Sequence, residues 1–394
     1  MRVLVLAPQP FYQNRGTPIA VRLLAEVLGK NGIEVHLLVF HEGEEVELEN
    51  VTVHRIPAVP GISSLPPGFS IKKIICDMLL WTSSLKLQWI TKFDLVHAVE
   101  EAVFIARLNK VLFRVPYVYD MDSCLSDQMT ARLTWLQPVR SILEWFENGA
   151  VRGSNGVLAV CTALESKVRK LDRHKELLRL EDISLLGERA DTGGKGESLR
   201  DTLGIRGKIA LYVGNLERYQ GIDLLLEGFS LLAEIREDCA LVVIGGSPED
   251  IAGYTGKAGR LAIADRVFFI GPRPLELLGD YLCQADVLVS PRIEGENTPM
   301  KIYSYLDSGR PVLATCITSH TQVLNEDIAV LVEPDPQSLA RGLDRLLGDE
   351  ELCGKLAGRA KERVALEFSR PVYEKKLMCF YGNIIQQLQS QAKK

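Results

Sequence analysis

The most constraining feature of the sequence is a series of short apolar runs with no alternating polar position, separated by turn residues and helical patterns. Residues 3–6 (VLVL) are the first such run. A strand with one face in water alternates apolar and polar residues. One without alternation is covered on both faces, as in a parallel sheet between helical layers. Thr17 then stands as a helix N-cap ahead of Pro18, and proline is favoured at the first helical position. Val21, Leu24, Ala25 and Leu28 share one helical face, Asn31-Gly32 closes the helix, and residues 35–39 open the next buried strand. A β-α-β unit of this length sets the loop Gln13-Asn14-Arg15-Gly16 at the carboxyl edge of a parallel sheet, where open α/β sheets bind ligands.

The pattern returns after residue 205, with strands predicted at 209–213, 240–244, 267–270 and 287–289. Helical patterns cover 222–232, 275–283 (with Pro274 just ahead) and 337–347. Residues 187–197 (GERADTGGKGE) are polar and glycine-rich and read as an exposed connector. The expected fold is α/β, two Rossmann-like doubly wound domains facing across a cleft. Their expected limits are 1–170 and 171–370, with a C-terminal helix over 371–391 packing back on the first. A length of 394 residues gives each domain enough chain for its own core.

Charge excludes one function class. The formal net charge is −5, and residues 1–170 hold 18 of the 46 Lys/Arg and 17 of the 51 Asp/Glu, so no basic field suggests a nucleic-acid partner. Eight cysteines stand singly with no C-x-x-C pair, which argues against a zinc site or disulfide scaffold and fits a reducing compartment. The opening MRVLVLAP lacks the signal-peptide pattern, and no run approaches the roughly 20 apolar residues that span a bilayer. A cytoplasmic location is expected, with the inner face of the membrane left open. Residues 70–92 (SIKKIICDMLLWTSSLKLQWITK) combine Lys72, Lys73, Lys86 and Lys92 with Trp81 and Trp89. Such a helix can lie at a membrane interface, and an ordinary packing helix with a lysine-bearing outer face has the same composition.

The densest polar run follows the 287–289 strand. Residues 290–309 (SPRIEGENTPMKIYSYLDSG) carry Arg292, Glu294, Glu296, Asn297 and Thr298 in a loop leading to Pro299. Thr298-Pro299 is a cap-plus-N1 signature, so amides after Glu296 are expected to face a ligand, with Arg292 and Lys301 adding charge. A helix N-terminus carries roughly half a positive charge and spare N–H donors, which suits phosphate. The competing reading is a plain βα loop.

At this point nearly the whole chain resembles a retaining GT-B glycosyltransferase of the family-4 type (glycosyl transferases group 1), which uses nucleotide-sugar donors. The Gly16 loop with its helix and Asp94-Leu95-Val96-His97-Ala98 match the N-terminal pattern, the latter like D-x-V-H-A. Gly214-Asn215-Leu216 through Gln220-Gly221-Ile222-Asp223 resembles G-R-L-x-x-x-K-G-x-D, and residues 241–246 resemble L-V-I-x-G-x-G. Residues 267–271, Ala285-Asp286-Val287 and Ser308-Gly309-Arg310-Pro311-Val312 complete the order.

The departures fall on functional positions. The family's E-x7-E run supplies one carboxylate near sugar and phosphates and a second on the ribose. Anchored on Ser308-Gly309, these fall on Glu296 and Ser304, with Glu294 competing because Pro299 lies two residues earlier than the family's proline. The phosphate-binding arginine and lysine of the G-R-L loop fall on Asn215 and Gln220, and the histidine after the P-x-V-x-T strand falls on Asp122. Three readings follow: Arg218, Arg292 and Lys301 replace the missing charges; the chain is a degenerate partner subunit; or backbone amides carry the donor. A charge-assisted contact contributes roughly 1.5–3 kcal/mol, so replacement can keep a donor bound. Asp120-Met121-Asp122 also matches the D-x-D metal motif of a different glycosyltransferase architecture, against which stand a solvated cap at Ser123 and Asp122 taking the histidine's place.

The resemblance implies transfer of a sugar from a nucleoside diphosphate to an acceptor hydroxyl with retention, in cell-envelope polysaccharide or glycolipid synthesis. It implies no cofactor beyond the donor and no required metal. Glu296 and Asp122 would be catalytic. Gly16, Asn215, Arg218, Gln220, Arg292, Glu294, Asn297, Thr298, Lys301 and Ser304 would bind the donor. His97 is expected on the acceptor side, and a satisfied core histidine is the competing reading; His320 has the same two options. Glu144 and Glu147 read as helix-surface charges. The expected partners are a nucleotide-sugar donor, a sugar or lipid-linked acceptor and a membrane surface through 70–92. A silent binding subunit, a sugar-nucleotide epimerase and a phosphorylase are the alternatives.

Overall fold

A computed structural model describes residues 1–13, 16–62, 70–132, 134–186 and 197–392. They form two compact units, Met1–Glu181 with Tyr373–Lys394, and Asp182–Val372. The first contains β1 (Arg2–Leu6), α1 (Gly16–Lys30), β2 (Glu34–Val39), β3 (Val51–Arg55), α2 (Ile71–Ile90), β4 (Leu95–Val99), α3 (Ala102–Phe113), β5 (Tyr117–Met121), α4 (Leu125–Arg132), α5 (Arg140–Gly153), β6 (Gly156–Ala159), α6 (Thr162–Leu171) and β7 (Leu177–Arg179). The second contains α7 (Leu199–Leu203), β8 (Lys208–Val213), α8 (Ile222–Ile235), β9 (Cys239–Ile244), α9 (Pro248–Arg260), β10 (Val267–Gly271), α10 (Leu278–Leu282) and β11 (Val287–Ser290). It continues with α11 (Lys301–Asp307), β12 (Val312–Thr315), α12 (Thr318–Thr321), β13 (Val330–Val332), α13 (Pro336–Gly348) and α14 (Glu350–Glu367), before α15 (Arg370–Ala392) returns the chain to the first unit.

Both sheets are parallel and doubly wound, in the orders β3-β2-β1-β4-β5-β6-β7 and β10-β9-β8-β11-β12-β13. The unalternating apolar runs have become central strands: β1 from Val3 onward and all of β4, β9 and β11 are buried. In each sheet the winding direction reverses beside the first strand, between β1 and β4 and between β8 and β11, which opens a crevice at the carboxyl edge.

Right-handed crossovers put α1 on one face of the first sheet and α2, α3, α5 and α6 on the other. The second group encloses a core in which Leu80, Val103, Val151 and Val168 meet Leu6, Val96 and Tyr119 from the sheet. Across the sheet, α15 lies so close to β6 that a Cβ on Gly156 would sit 2.7 Å from the Phe380 ring and 2.8 Å from Ile384.

Four local expectations are corrected. Residues 171–181 belong to the first unit, because β7 pairs with β6. α1 starts at Gly16, so Thr17 lies inside its first turn, a shift within the ambiguity of helix ends. The 275–283 pattern divides into a 3-10 turn over Leu275–Leu277 and α10, which carries Gly279, a poor helix former. The helix after Pro299 starts at Lys301 with Met300 at the cap position, so Thr298 does not cap it. Asn14, Arg15 and all of the 187–197 connector except Glu197 lie outside the described residues.

Candidate functional site

In the second unit, glycines allow the backbone at the carboxyl edge to pack closely. Gly214 follows β8 at φ +150° and Gly245 follows β9 at φ +114°; a Cβ on Gly245 would meet the Gly214 carbonyl at 2.1 Å. Gly221, at φ +73°, lies where a Cβ would meet the Pro291 carbonyl at 2.0 Å. The Ile293 N–H donates to the Tyr219 carbonyl at 3.0 Å, so the loops after β8 and β11 are bonded together. Only a residue without a side chain tolerates these approaches at positive φ.

Two cations occupy this junction. Arg292 is 7 % exposed; its Nε donates to the Glu294 carbonyl at 2.6 Å, and its Nη1 and Nη2 to the Asn297 carbonyl (2.9 Å) and Oδ1 (3.3 Å). Its guanidinium also lies 5.2 Å from the Tyr219 ring centre. Lys301 donates from Nζ to Gln220 Oε1 at 3.2 Å and stands 3.9 Å from the centre of the Tyr212 ring. Gln220, at the family's lysine position, therefore holds a lysine carried by the other loop. Burial pushes the Lys301 ammonium well below its ordinary value, and the charge of Arg292 adds to the effect. Burial also lowers Arg292. Among the described residues neither cation forms an ion pair. Two partly desolvated positive charges without a counter-ion make a costly arrangement that an anion relieves.

The other expected donor residues have varied places. Asn215 and Arg218 are exposed; Asn215 Nδ2 donates to the Tyr219 hydroxyl at 3.4 Å, and its carbonyl accepts from the Tyr212 hydroxyl at 2.6 Å. Glu294 and Glu296 lie exposed on the loop, with the Glu296 carbonyl accepting from Gln322 Nε2 at 2.5 Å. Thr298 is 4 % exposed, and its hydroxyl has no hydrogen-bond partner among the described residues. Ser304, at the ribose-carboxylate position, is buried and accepts from the Leu185 N–H at 3.0 Å, which makes it part of the scaffold.

His320 is also scaffold. It is fully buried, with Nδ1 2.9 Å from the Thr315 carbonyl and Nε2 2.9 Å from Ser290 Oγ. Burial lowers its pKa to about 4, so the ring is neutral; Nδ1–H donates to the carbonyl and Nε2 accepts from the serine.

In the first unit, the structure corrects two sequence readings. His97 is fully buried, between the Tyr381 hydroxyl (2.8 Å from Nδ1) and Asp120 Oδ2 (3.0 Å from Nε2), and is not open to an acceptor. Glu147 is 2 % exposed and accepts from the Leu125 N–H at 2.9 Å and Ser126 Oγ at 2.7 Å, anchoring the start of α4; it is no surface charge. Glu144 pairs with Arg140 at 2.8 Å. Gly16 opens α1, and Asp122 follows β5 half-buried. No cluster of three His, Cys, Asp or Glu suited to a metal occurs among the described residues.

The sequence reading passed over a carboxylate group at the end of β4 and on α2. Glu100 follows β4 at φ +49°; burial, reinforced by Glu101, raises its carboxyl to about 7. Asp77 on α2 is raised to about 8 by burial and Glu101, while Lys73 pairs with Glu101. A carboxyl that titrates near neutrality can exchange a proton or hydrogen-bond a hydroxyl in either state. Its signal was position alone: Glu100-Glu101 directly follow a buried strand at a carboxyl edge.

Two parallel Rossmann-like units, one with an anion-seeking carboxyl edge, define the architecture of the GT-B glycosyltransferases. Sucrose-phosphate synthase from Thermosynechococcus elongatus has this fold, with a TM-score of 0.79 at 18 % identity over 98 % of this chain and 99 % of that one. So does Anabaena HepE in complex with UDP-glucose, with a TM-score of 0.73 at 15 % identity over 97 % and 100 %. Among curated proteins, the alpha-D-kanosaminyltransferase of Streptomyces kanamyceticus is 24 % identical over 295 residues, 72 % of this chain and 74 % of the relative. The family profile of glycosyl transferases group 1 matches residues 197–363, and that of the glycosyl transferase 4-like domain matches residues 15–180. The chain belongs to the glycosyl transferases group 1, with a family-4-like N-terminal domain, and is an enzyme of glycosyl transfer.

Proposed function

We propose that the enzyme transfers a sugar from a nucleoside-diphosphate sugar to an acceptor hydroxyl with retention of anomeric configuration. The observation that carries this reading is the uncompensated pair Arg292 and Lys301 at the glycine-lined carboxyl edge of the second sheet. A diphosphate supplies the missing negative charge, and as it leaves with the donor's bond electrons its growing charge is stabilised by the same two cations. Arg292 stiffens the loop that bears Glu294, Glu296 and Asn297, which would face sugar and phosphate, and Arg218 lies exposed on the neighbouring turn. The buried Thr298 hydroxyl on the same loop has no hydrogen-bond partner among the described residues. Glu296 is assigned to the sugar and Asp122 to the acceptor side, with no metal in the reaction.

The acceptor belongs to the first unit. No helix among the described residues is long and apolar enough to cross a membrane. Residues 70–92 nevertheless present lysines and Trp89 outward, which supports a lipid-linked acceptor met at the cytoplasmic membrane face, in cell-envelope polysaccharide or glycolipid assembly. Thermal-shift titration with UDP, GDP, ADP and dTDP, with and without Mg²⁺, tests the donor half. One nucleotide should stabilise the protein equally with and without metal, and no stabilisation by any of them would sink the reading.

A further inference from the structure

The inner sides of α2, α3 and α5 close the core of the first unit, yet their outer sides are apolar as well. On α2, Ile75, Met78, Lys86 and Trp89 recur at helical spacing along one stripe, and Met78 and Trp89 are 61 % and 83 % exposed. On α3 the outward residues are Leu108, Val111 and Leu112; on α5 they are Ile142, Trp145 and Phe146. Apart from these three helices and Val139 beside α5, the described chain exposes only Ile235 and Leu366 among its large hydrophobics. α3 packs against both α2 and α5. Leu85 and Trp89 share a hollow with Leu112 and Phe113, and Arg107 Nη1 donates to the Phe146 carbonyl at 3.3 Å, so the stripes form one surface.

The charge on this surface has one sign. Lys72, Lys86, Lys92, Arg114 and Arg152 are exposed and form no ion pair among the described residues. The three helices' carboxylates are withdrawn: Glu147 is buried, Glu144 pairs with Arg140, and Asp77 lies half-buried in the Lys73–Glu101 group. The chain as a whole carries −5.

We infer that α2, α3 and α5 together seat the enzyme on the surface of an anionic lipid bilayer, with Trp89 and Trp145 entering the interface and the unpaired cations facing headgroups. A protein partner of this size would need carboxylates set against each cation, whereas an anionic leaflet meets an apolar, uniformly cationic face without such matching. The inference rests on the lipid contact proposed through residues 70–92, and extends it to two further helices.

Flotation of the full-length protein with vesicles of phosphatidylcholine, alone or mixed equally with phosphatidylglycerol, tests it. Binding should require phosphatidylglycerol, fall with salt, and quench tryptophan fluorescence when brominated lipids are used. Each cation near an anionic surface is worth about a fivefold factor in partition, so Lys86→Gln with Arg152→Gln should weaken binding about thirtyfold. Trp145→Ser with Phe146→Ser, on α5, should weaken it comparably, with the nucleotide thermal shift unchanged as a control for folding and for the donor site. If only Trp89→Ser and Lys86→Gln weaken binding, the contact is residues 70–92 alone and the three-helix seat is wrong. If the wild type ignores both vesicles, both membrane readings fail while the donor reading stands; if it forms a dimer that the α5 variant dissociates, the three-helix seat is wrong.

Discussion

Replacing Lys301 with methionine separates a binding cation from a structural one. Lys301 Nζ has one hydrogen-bond acceptor, Gln220 Oε1 at 3.2 Å, and the face of Tyr212 at 3.9 Å; it has no ion pair, and burial opposes its charge. Methionine keeps most of the aliphatic stem and removes the ammonium, so the free protein should unfold at the same temperature or higher. A charge-assisted phosphate contact of roughly 1.5–3 kcal/mol corresponds to about a 10- to 150-fold weaker nucleoside diphosphate. At a ligand concentration of about 100 times the wild-type Kd, stabilisation is about 2.7 kcal/mol, and a hundredfold weaker Kd cuts it to about 0.4 kcal/mol. Thermal unfolding with and without the nucleotide reads both quantities in one experiment. The reasoning is refuted if Lys301→Met loses several kcal/mol of stability while its nucleotide-induced shift matches the wild type, because the lysine then serves the fold.

Four more outcomes follow from the structure. Because the folded pKa of Lys301 lies below its unfolded value, the unfolded chain holds a proton that the folded chain has shed between the two values; stability therefore rises with pH across that window, and Lys301→Met should flatten the rise. A bound diphosphate favours the charged lysine, so within that pH window binding enthalpies measured in buffers of different ionisation heat should report proton uptake, and buffer-independent enthalpies throughout it would contradict the reasoning. Gly214→Ala sets a methyl 2.7 Å from Lys301 Nζ at a φ that disfavours alanine, and should weaken nucleotide binding about tenfold or more by displacing the lysine, seen by calorimetry. Glu147→Ala strips the acceptor from the Leu125 N–H and Ser126 hydroxyl and should cost about 2–4 kcal/mol in denaturant unfolding without changing nucleotide affinity.

What the sequence made legible was local. The unalternating runs at 3–6, 209–213 and 240–244 are strands because a parallel strand between helix layers is apolar on both sides. The run after residue 290 stood out because polar residues crowded a strand's carboxyl end, and Arg292 and Lys301 do meet there. What stayed illegible was each polar group's partner. His97 depends on Tyr381, 284 positions away, and Ser304 on Leu185, 119 positions away, so no spacing rule could separate scaffold from ligand contact. Glu147 follows a surface-like helical pattern and is buried only because the start of α4 lies across it. Thr298-Pro299 carries a valid cap signature, yet Arg292 draws in the Glu294 and Asn297 carbonyls and the helix starts later.

The return of α15 to the first unit has a consequence for how the chain is made. Phe380, Tyr381 and Ile384 are nearly or fully buried in that unit, and Tyr381 supplies one of the two partners of His97. These residues are translated only after the whole of the second unit. The first 181 residues must wait while the whole of Asp182–Val372 is synthesised, roughly 10–40 s at ordinary elongation rates. Throughout that interval the β4–β6 part of one sheet face stands open on the ribosome, while the second unit already has all its own residues. The order of completion is thus the reverse of the order of synthesis, and a nascent chain stalled before α15 should expose the apolar face that chaperones bind.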